Sequence, residues 1–252
     1  MTKKIYFASD FHLGIPDHDR SLEREKKLID WLDQACVDAA EIFLLGDLFD
    51  FWFEYKTVIP RGYARLMGKL ADITDSGIRV HLFLGNHDMW AFDYLHRELN
   101  IQLHRGPEFR EFYGKKFYLA HGDGLGPGDH GYKFIKKIFA NRCNQWLFRL
   151  IHPDCGISMA LFWSRKSRAA AIDKEQREEA RNRRLIDERI TIHSRELLTT
   201  HPDLDFLVYG HYHYPILMPL SDKATQIVLG DWLTHFTFAV FDGQKLELKR
   251  FF

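Results

Sequence analysis

Short apolar runs alternate with helical patterns over the first hundred residues of the 252-residue chain. An uninterrupted apolar run of about five residues is typical of a buried strand, whereas apolar residues at intervals of three and four predict an amphipathic helix. Ser21 precedes the first helical pattern and is a candidate N-cap. The alternation predicts an α/β layered core. The predicted strands are 5–9, 41–45 and 78–84, and the predicted helices are 21–39 and 61–75.

The pattern changes after residue 100, where short strand-like runs are separated by turns. Residues 131–200 interrupt these runs with a helical pattern, aromatic and apolar in its first part and densely charged from 173 to 195. We therefore predict a core built from 1–130 and 201–252, with 131–200 inserted as a helical cap. The later strands are predicted at 101–103, 109–113, 116–120, 205–209, 226–229, 236–241 and 245–249.

Charge is balanced overall but unevenly distributed. The formal net charge is zero, yet residues 133–195 contain 15 Lys or Arg against 7 Asp or Glu. This balance favours an anionic membrane surface as a partner of the cap, while the neutral chain gives no reason to expect nucleic acid. Three cysteines without a C-x-x-C motif indicate a reducing compartment. With no apolar stretch of membrane-spanning length, a cytoplasmic protein is expected.

Polar motifs end five of the predicted strands. Carboxyl ends of strands in layered α/β folds are where ligands collect, so these motifs can converge although they lie far apart in the chain. Each motif alone is a weak signal, but five in order are specific. The motifs are Asp10-Phe11-His12, Gly46-Asp47-Leu48-Phe49-Asp50, Gly85-Asn86-His87-Asp88, His121-Gly122-Asp123 and Gly210-His211-Tyr212-His213.

The residue types in these motifs suit a dinuclear metal centre. Two divalent ions about 3.5–4 Å apart can bind one phosphate and activate water, and a carboxylate can bridge them. Mixed imidazole and carboxylate ligands favour Mn, Fe or Zn, of which we expect Mn, over an all-oxygen Mg or Ca site. Four adjoining glycines are expected to permit the turns that aim alternate residues at one point, namely Gly46, Gly85, Gly122 and Gly210.

The motifs resemble those of the calcineurin-like metallophosphoesterases, whose blocks are D-x-H, G-D-x-x-D, G-N-H-[DE], a single His and G-H-x-H. The resemblance covers residues 10–213. It implies a four-layer fold, with two packed mixed β-sheets flanked by helices. It further implies that His87 acts on the phosphate, that Asp88 orients His87 and that Asp47 bridges the metals. The implied ligands are Asp10, His12, Asp47 and His213 for one metal, and Asp47, Asn86, His121 and His211 for the other.

A closer resemblance is to the UDP-2,3-diacylglucosamine pyrophosphatase family of lipid A synthesis. It rests on residues 46–52, His121-Gly122-Asp123 followed by Gly131-Tyr132, residues 228–232, and the helical cap. It implies that the aromatic part of the cap encloses acyl chains and that the enzyme is peripheral on the cytoplasmic face of the inner membrane. The substrate contacts it implies carry over to Asn86, Asp129 and His211.

One departure from this family concerns phosphate recognition. The best-known family members read G-N-R-D where this chain has His87, and Arg clamps a phosphate with two hydrogen bonds whereas His does not. Arg165 and Lys166 lie in the region of the family's cap contacts, so they are candidates to bind the substrate's pyrophosphate or lipid head groups. A solvated helix face is the alternative interpretation of these two residues.

The sequence therefore predicts a two-metal hydrolase that splits UDP-2,3-diacylglucosamine into UMP and 2,3-diacylglucosamine 1-phosphate. The alternative is a soluble metallophosphodiesterase or phosphatase acting on a nucleotide or phosphoprotein. A third alternative, from outside the enzymes, is a scaffold that keeps the fold without catalysis.

Overall fold

The described residues form eleven strands and six helices. The computed structural model describes residues 3–251, with the side chains of 165–188 excepted. The helices are α1 (His18–Cys36), α2 (Ala64–Asp75), α3 (Tyr94–Leu99), α4 (His130–Ala140), α5 (Arg142–Arg149) and α6 (Pro153–Thr200). The strands are β1 (Lys4–Ala8), β2 (Ala39–Leu44), β3 (Arg79–Phe83), β4 (Gln102–His104), β5 (Glu108–Phe112), β6 (Lys115–Ala120), β7 (Phe206–Tyr209), β8 (Pro215–Pro219), β9 (Thr225–Leu229), β10 (Thr237–Phe241) and β11 (Leu246–Arg250).

The strands form two mixed sheets. The first has the order β11-β10-β1-β2-β3-β4, in which β1 to β4 are parallel and β10 and β11 are antiparallel. The second has the order β5-β6-β7-β9-β8, with parallel pairing between β6, β7 and β9. In both sheets the parallel strands lie side by side, so their carboxyl ends define one edge of the sheet.

Three apolar clusters divide the molecule into four layers. Alternation along β2 shows the principle, because Ile42 and Leu44 pack towards the helices while Phe43 packs towards the second sheet. The first cluster joins α1, α2 and α3 to the first sheet, and the second cluster joins the two sheets. The third joins the second sheet to the C-terminal part of α6 at Ile190. The predicted four-layer α/β fold is therefore confirmed.

The structure differs from the sequence predictions at the start of α1 and in two short elements. Helix α1 begins at His18, capped by the side chain of Asp17, and the hydroxyl of Ser21 instead accepts a hydrogen bond from the Gly14 amide at 2.7 Å. The predicted cap at Ser21 is therefore wrong, because a nearer carboxylate serves the first turn. Helix α3 and strand β8 were not predicted, since a six-residue helix and a strand with a Pro at each end give weak signals.

Helices α4, α5 and α6 occupy residues 130–200, between β6 and β7. The division into a core and a separate cap stays a prediction. The side chains of Arg165 and Lys166, like most of the charged stretch, lie outside the described residues. Within the part of the chain that the structure describes, no helix is both long enough and apolar enough to cross a bilayer.

Candidate metal centre and adjoining cavity

The five polar motifs meet at the carboxyl edges of the two sheets. Asp10 and His12 follow β1, Asp47 follows β2, and residues 86–88 follow β3. From the second sheet, His121 follows β6, and residues 211–213 follow β7. Both sheets present their parallel strands at this edge, which explains how residues 200 positions apart become neighbours.

Several of these residues adopt a left-handed backbone conformation. The φ angles lie between 45° and 68° although none of the residues is glycine. This conformation is uncommon for residues with a side chain and concentrates at functional sites, where the surrounding fold holds it in place. The residues are Asp10, His12, Asp47, His211 and His213.

Asp10, His12 and His213 form the first group of possible ligands. The Nε2 atoms of the two histidines are 3.1 Å apart, and Asp10 Oδ1 lies 3.8 Å from His12 Nε2 and 3.4 Å from His213 Nε2. Asp10 Oδ1 is fully buried and has no hydrogen-bond partner among the described residues. A buried carboxylate oxygen facing two imidazole nitrogens is costly unless a cation binds there, so this group fits a divalent ion.

Asp47 connects the first group to a second. Its Oδ2 atom lies 3.7 Å from His12 Nε2 and 3.4 Å from His121 Nε2. His211 belongs to the same group as Asp47 and His121, and Asn86 Oδ1 is 3.4 Å from His121 Nε2. One carboxylate between two sets of nitrogen and oxygen ligands is the arrangement that a bridging ligand requires.

Two glycines near the ligands permit close packing rather than turns. A Cβ atom on Gly85 would lie 2.2 Å from Asp47 Oδ1, and one on Gly210 would lie 2.8 Å from Asp10 Oδ2. Neither glycine has a positive φ, whereas Gly46 and Gly122 do. The expectation that all four glycines serve as turns is therefore corrected for Gly85 and Gly210, where the absence of a side chain makes room for a carboxylate.

Buried carboxylates face the other ring nitrogens of the first group. His12 Nδ1 lies 3.5 Å from Asp50 Oδ1, and His213 Nδ1 lies 3.6 Å from Asp231 Oδ2. His121 differs, because its Nδ1 donates a hydrogen bond to the Leu45 carbonyl oxygen at 2.7 Å. Such partners fix the orientation of metal-binding imidazoles. Asp231 lies outside the five motifs, and no pattern in the sequence assigned it to the site.

His87 and Asp88 do not form the predicted pair. His87 Nδ1 donates to the carbonyl oxygen of Asp50 at 2.7 Å, whereas the Asp88 carboxylate accepts the backbone amides of Gly85 at 2.7 Å and Leu48 at 2.8 Å. Burial raises the pKa of Asp88 to about 7, and the charge of Asp47 adds to the effect. Asp88 therefore joins the loop after β3 to the loop after β2, and the carbonyl oxygen of Asp50 orients the ring of His87.

The protonation states of Asp47, His12 and His211 favour cation binding. Burial alone would raise the pKa of Asp47, but His121 and His87 hold it well below its usual value. Burial lowers the pKa of His12 well below its ordinary value and that of His211 to about 3. An ionised carboxylate and neutral imidazoles are the forms that coordinate metals. Burial opposes a proton on His121, yet Asp47 raises its pKa, so an incoming cation would displace that proton.

An apolar cavity of about 820 Å³ adjoins the candidate metal centre. Asp50, Asn86 and His87 line its inner end, and Ser164 at that end donates a hydrogen bond to Asp50 Oδ2 at 2.8 Å. The walls come largely from α4, α5 and the N-terminal part of α6. They include Trp90, Ile135, Ile138, Phe139, Leu147, Phe148, Ile151, Met159 and Trp163.

The predicted substrate contacts lie at different distances from this centre. Asn86 and His87 line the cavity, and His211 belongs to the second ligand group. Asp129 precedes α4 in a left-handed conformation, is half exposed, and faces Arg189 with 3.9 Å between Oδ2 and Nη1. Lys136 and Ser164 also line the cavity, in positions that follow from helix packing and that no sequence motif predicted.

The sequence matches known proteins over nearly its whole length. Residues 3–215 match the family described as "Calcineurin-like phosphoesterase". A protein of Porphyromonas gingivalis named UDP-2,3-diacylglucosamine hydrolase is 36% identical over 259 residues, covering 99% of this chain and 98% of that protein. A protein of the same name from Vibrio atlanticus is 24% identical, covering 98% and 96% of the two chains.

Solved structures are more distant. The phosphoesterase Yfce from E. coli is 15% identical, with a TM-score of 0.49 and coverage of 98% of this chain and 93% of that one. A likeness at this level carries no argument about function.

Proposed function

This chain belongs to the calcineurin-like phosphoesterase family and is a metal-dependent hydrolase, and from that premise we propose that it cleaves the pyrophosphate of UDP-2,3-diacylglucosamine. The products are UMP and 2,3-diacylglucosamine 1-phosphate. The observation that carries the proposal is the apolar cavity beside the candidate metal centre. The names of the relatives from Porphyromonas gingivalis and Vibrio atlanticus support the same substrate.

The cavity supports a lipid substrate because its position and chemistry suit acyl chains. It begins at Asn86 and His87 and continues between aromatic and aliphatic side chains of α4, α5 and α6. Each methylene moved from water into such surroundings contributes about 0.8 kcal/mol. Two acyl chains held there would leave the sugar-linked pyrophosphate at the inner end, next to the ligand groups.

We assign the ligands as the resemblance implies. Two divalent ions, with Mn preferred and Fe or Zn as alternatives, would polarise the phosphate oxygens and make the attacking water more acidic. The identity of the ion is part of the proposal. Asp10, His12, Asp47 and His213 would hold one ion, and Asp47, Asn86, His121 and His211 the other.

His87 is proposed to act on the phosphate. Its Nδ1 is engaged by the Asp50 carbonyl oxygen, so Nε2 is the nitrogen left for the substrate, and about a quarter of the side chain is exposed. In the doubly protonated form of the ring, Nε2 would also carry a hydrogen and would donate a hydrogen bond to a phosphate oxygen as charge develops. Further contacts are proposed for Asn86, His211, Asp129, Arg165 and Lys166.

We also propose that the cap, residues 131–200, is a unit distinct from the core and rests on an anionic membrane surface. Large apolar side chains of the cap helices are more than half exposed, and the basic excess of residues 133–195 suits anionic head groups. The expected location is the cytoplasmic face of the inner membrane. The exposed side chains are Phe134, Trp146, Leu147, Leu150, Phe162 and Trp163.

The test is UMP release from UDP-2,3-diacylglucosamine in mixed micelles by Mn-loaded protein. Asp47→Ala should abolish release without unfolding the protein. Ala160→Trp, which fills the cavity wall, should slow lipid turnover more than turnover of bis(4-nitrophenyl) phosphate. No UMP release together with diester hydrolysis would leave a two-metal enzyme with a water-soluble substrate. No activity and no bound metal would revive the scaffold alternative.

A further inference from the structure

Lys136 is the one lysine or arginine among the described residues that line the cavity. It lies on α4, and its ammonium group contacts Asp123, two residues after His121 of the second ligand group, while the rest of the cavity wall is largely apolar. Cations are depleted in apolar pockets unless they have a partner or a task. Its presence at the end nearest the ligand groups therefore calls for an explanation.

Asp123 holds the ammonium group of Lys136 in place. Lys136 Nζ contacts Asp123 Oδ2 at 2.5 Å and donates to the Asp123 carbonyl oxygen at 3.2 Å. Asp123 is buried, follows His121-Gly122, and its Oδ2 also accepts the hydroxyl of Tyr132 at 2.7 Å. The side chain of Lys136 is 38% exposed. An ammonium has three donors, so the two contacts to Asp123 leave one donor for a ligand.

We propose that Lys136 binds the sugar-linked phosphate and determines specificity for a pyrophosphate over a simple diester. This inference rests on the proposed function. A pyrophosphate diester carries two anionic phosphates, and the ligand groups are arranged around one of them. If acyl chains fill the cavity, the phosphate attached to the sugar lies at the inner end of the wall where Lys136 stands.

The charge of Lys136 would also compensate for the absence of an arginine at position 87. His87 stands where the resembling family has Arg, and a histidine held through Nδ1 offers one nitrogen in place of a two-pronged clamp. A second cation from α4 would supply the missing contact. Because this cation is on a cap helix, phosphate binding would be linked to the seating of α4 on the core.

The experiment compares two substrates in three variants. Lys136→Met removes the charge, Lys136→Arg retains it, and Lys137→Met removes a neighbouring charge on the same helix that does not line the cavity. We measure kcat and KM for UDP-2,3-diacylglucosamine and for bis(4-nitrophenyl) phosphate, which has a single anionic phosphate. Thermal unfolding of each variant reports whether α4 stays folded on the core.

Lys136→Met is expected to lower the ratio of the two kcat/KM values about 10- to 100-fold, chiefly through KM for the pyrophosphate, as for loss of a charge-assisted hydrogen bond. Lys136→Arg should recover most of the ratio, and Lys137→Met should leave it unchanged. An equal fall for both substrates, or no fall, would overturn the proposal, because Lys136 would then only position α4 or do nothing.

A separate arm keeps this result independent of the proposed function. If the wild-type protein releases no UMP, that function fails, and Lys136 is judged by inhibition of diester turnover by glucosamine 1-phosphate. The inhibition constant should rise about tenfold in Lys136→Met if the ammonium binds the phosphate. An inhibition constant unchanged from the wild type would overturn the inference.

Discussion

Replacing Gly85 by alanine should damage the metal centre although none of the proposed ligands is itself replaced. The added Cβ would lie 2.2 Å from Asp47 Oδ1, 2.7 Å from His121 Nε2 and 2.8 Å from the backbone nitrogen of Asp47. Ordinary contacts begin at 3.4 Å. Gly85 is not among the residues with positive φ, so alanine meets a steric obstacle and no conformational one. The backbone nitrogen cannot rotate away, and the strand end carrying Asp47 must move.

The size of the effect follows from what this movement breaks. Overpacking of this kind costs about 1–3 kcal/mol, and displacement of Asp47 Oδ1 also removes the hydrogen bond from the His87 amide, worth about 1 kcal/mol. If this total of about 2–4 kcal/mol destabilises the cation-bound form, the affinity for the second ion falls on the order of 100-fold, since each 1.4 kcal/mol changes Kd about tenfold.

Calorimetric titration with Mn and turnover of bis(4-nitrophenyl) phosphate measure this prediction. Gly68→Ala is the matched control, because Gly68 lies in α2 with no atom within 4 Å of its added Cβ. That control should gain about 0.5–1 kcal/mol of stability and keep full Mn binding. Two Mn ions bound by Gly85→Ala with wild-type affinity would refute the role assigned to the Gly85–Asp47 contact.

Three further predictions address cation binding, the link to the cap and pH. Removal of divalent ions with a chelator should abolish turnover and lower the Tm by roughly 5–10 °C, relative to protein in which the free ion is at about 100 times its Kd. An unchanged Tm and full activity would contradict the metal assignment. Ser164→Ala should lower kcat about fivefold for the lipid and the diester alike, because it removes a hydrogen bond of about 1 kcal/mol to Asp50, whose carboxylate lies next to His12 and His87. A loss of activity confined to the lipid would contradict this prediction. Burial lowers the pKa of His193 below its ordinary value of 6.5, so the stability that the neutral ring provides is present above pH 6.5 and lost as pH falls through the folded pKa. The Tm should therefore fall from pH 7.5 to 5.5, with a shallower slope in His193→Gln; an equal slope would exclude His193 as a contributor.

The arrangement of the ligand motifs was predictable because two simple signals coincide in the sequence. Apolar runs mark the buried parallel strands, and polar residues follow directly where the strands end. Asp47, for example, comes three residues after the end of β2, and His121 directly follows β6. Since parallel strands share an edge, their order along the chain sufficed to predict that these side chains converge.

The orientation of individual side chains was not predictable from those signals. A D-x-H spacing gives no indication that both residues take a left-handed conformation, because the conformation is imposed by the packing of the loops. The exchange of partners between Asp50 and Asp88 has the same origin, since residues 48–50 and 85–88 are separated in sequence and meet only in the fold. Lys136 and Asp231 likewise acquire their positions from contacts between distant elements.

The exposed apolar residues of the cap helices are best understood together with the metal centre. Helices α4 and α5 are fully described and contain no buried residue, so they have no core of their own. Helix α4 contacts the core beside the cavity, where Trp90 Nε1 donates to the Phe139 carbonyl oxygen at 2.9 Å, and α6 contacts it through Ser164, which donates to Asp50 Oδ2. An apolar surface of this extent is costly in water unless another apolar partner covers it. A lipid substrate in the cavity and a bilayer outside would cover both sides of these helices, so the same acyl chains that provide binding energy would also complete the packing that holds Lys136 beside the sugar-linked phosphate and Ser164 on Asp50.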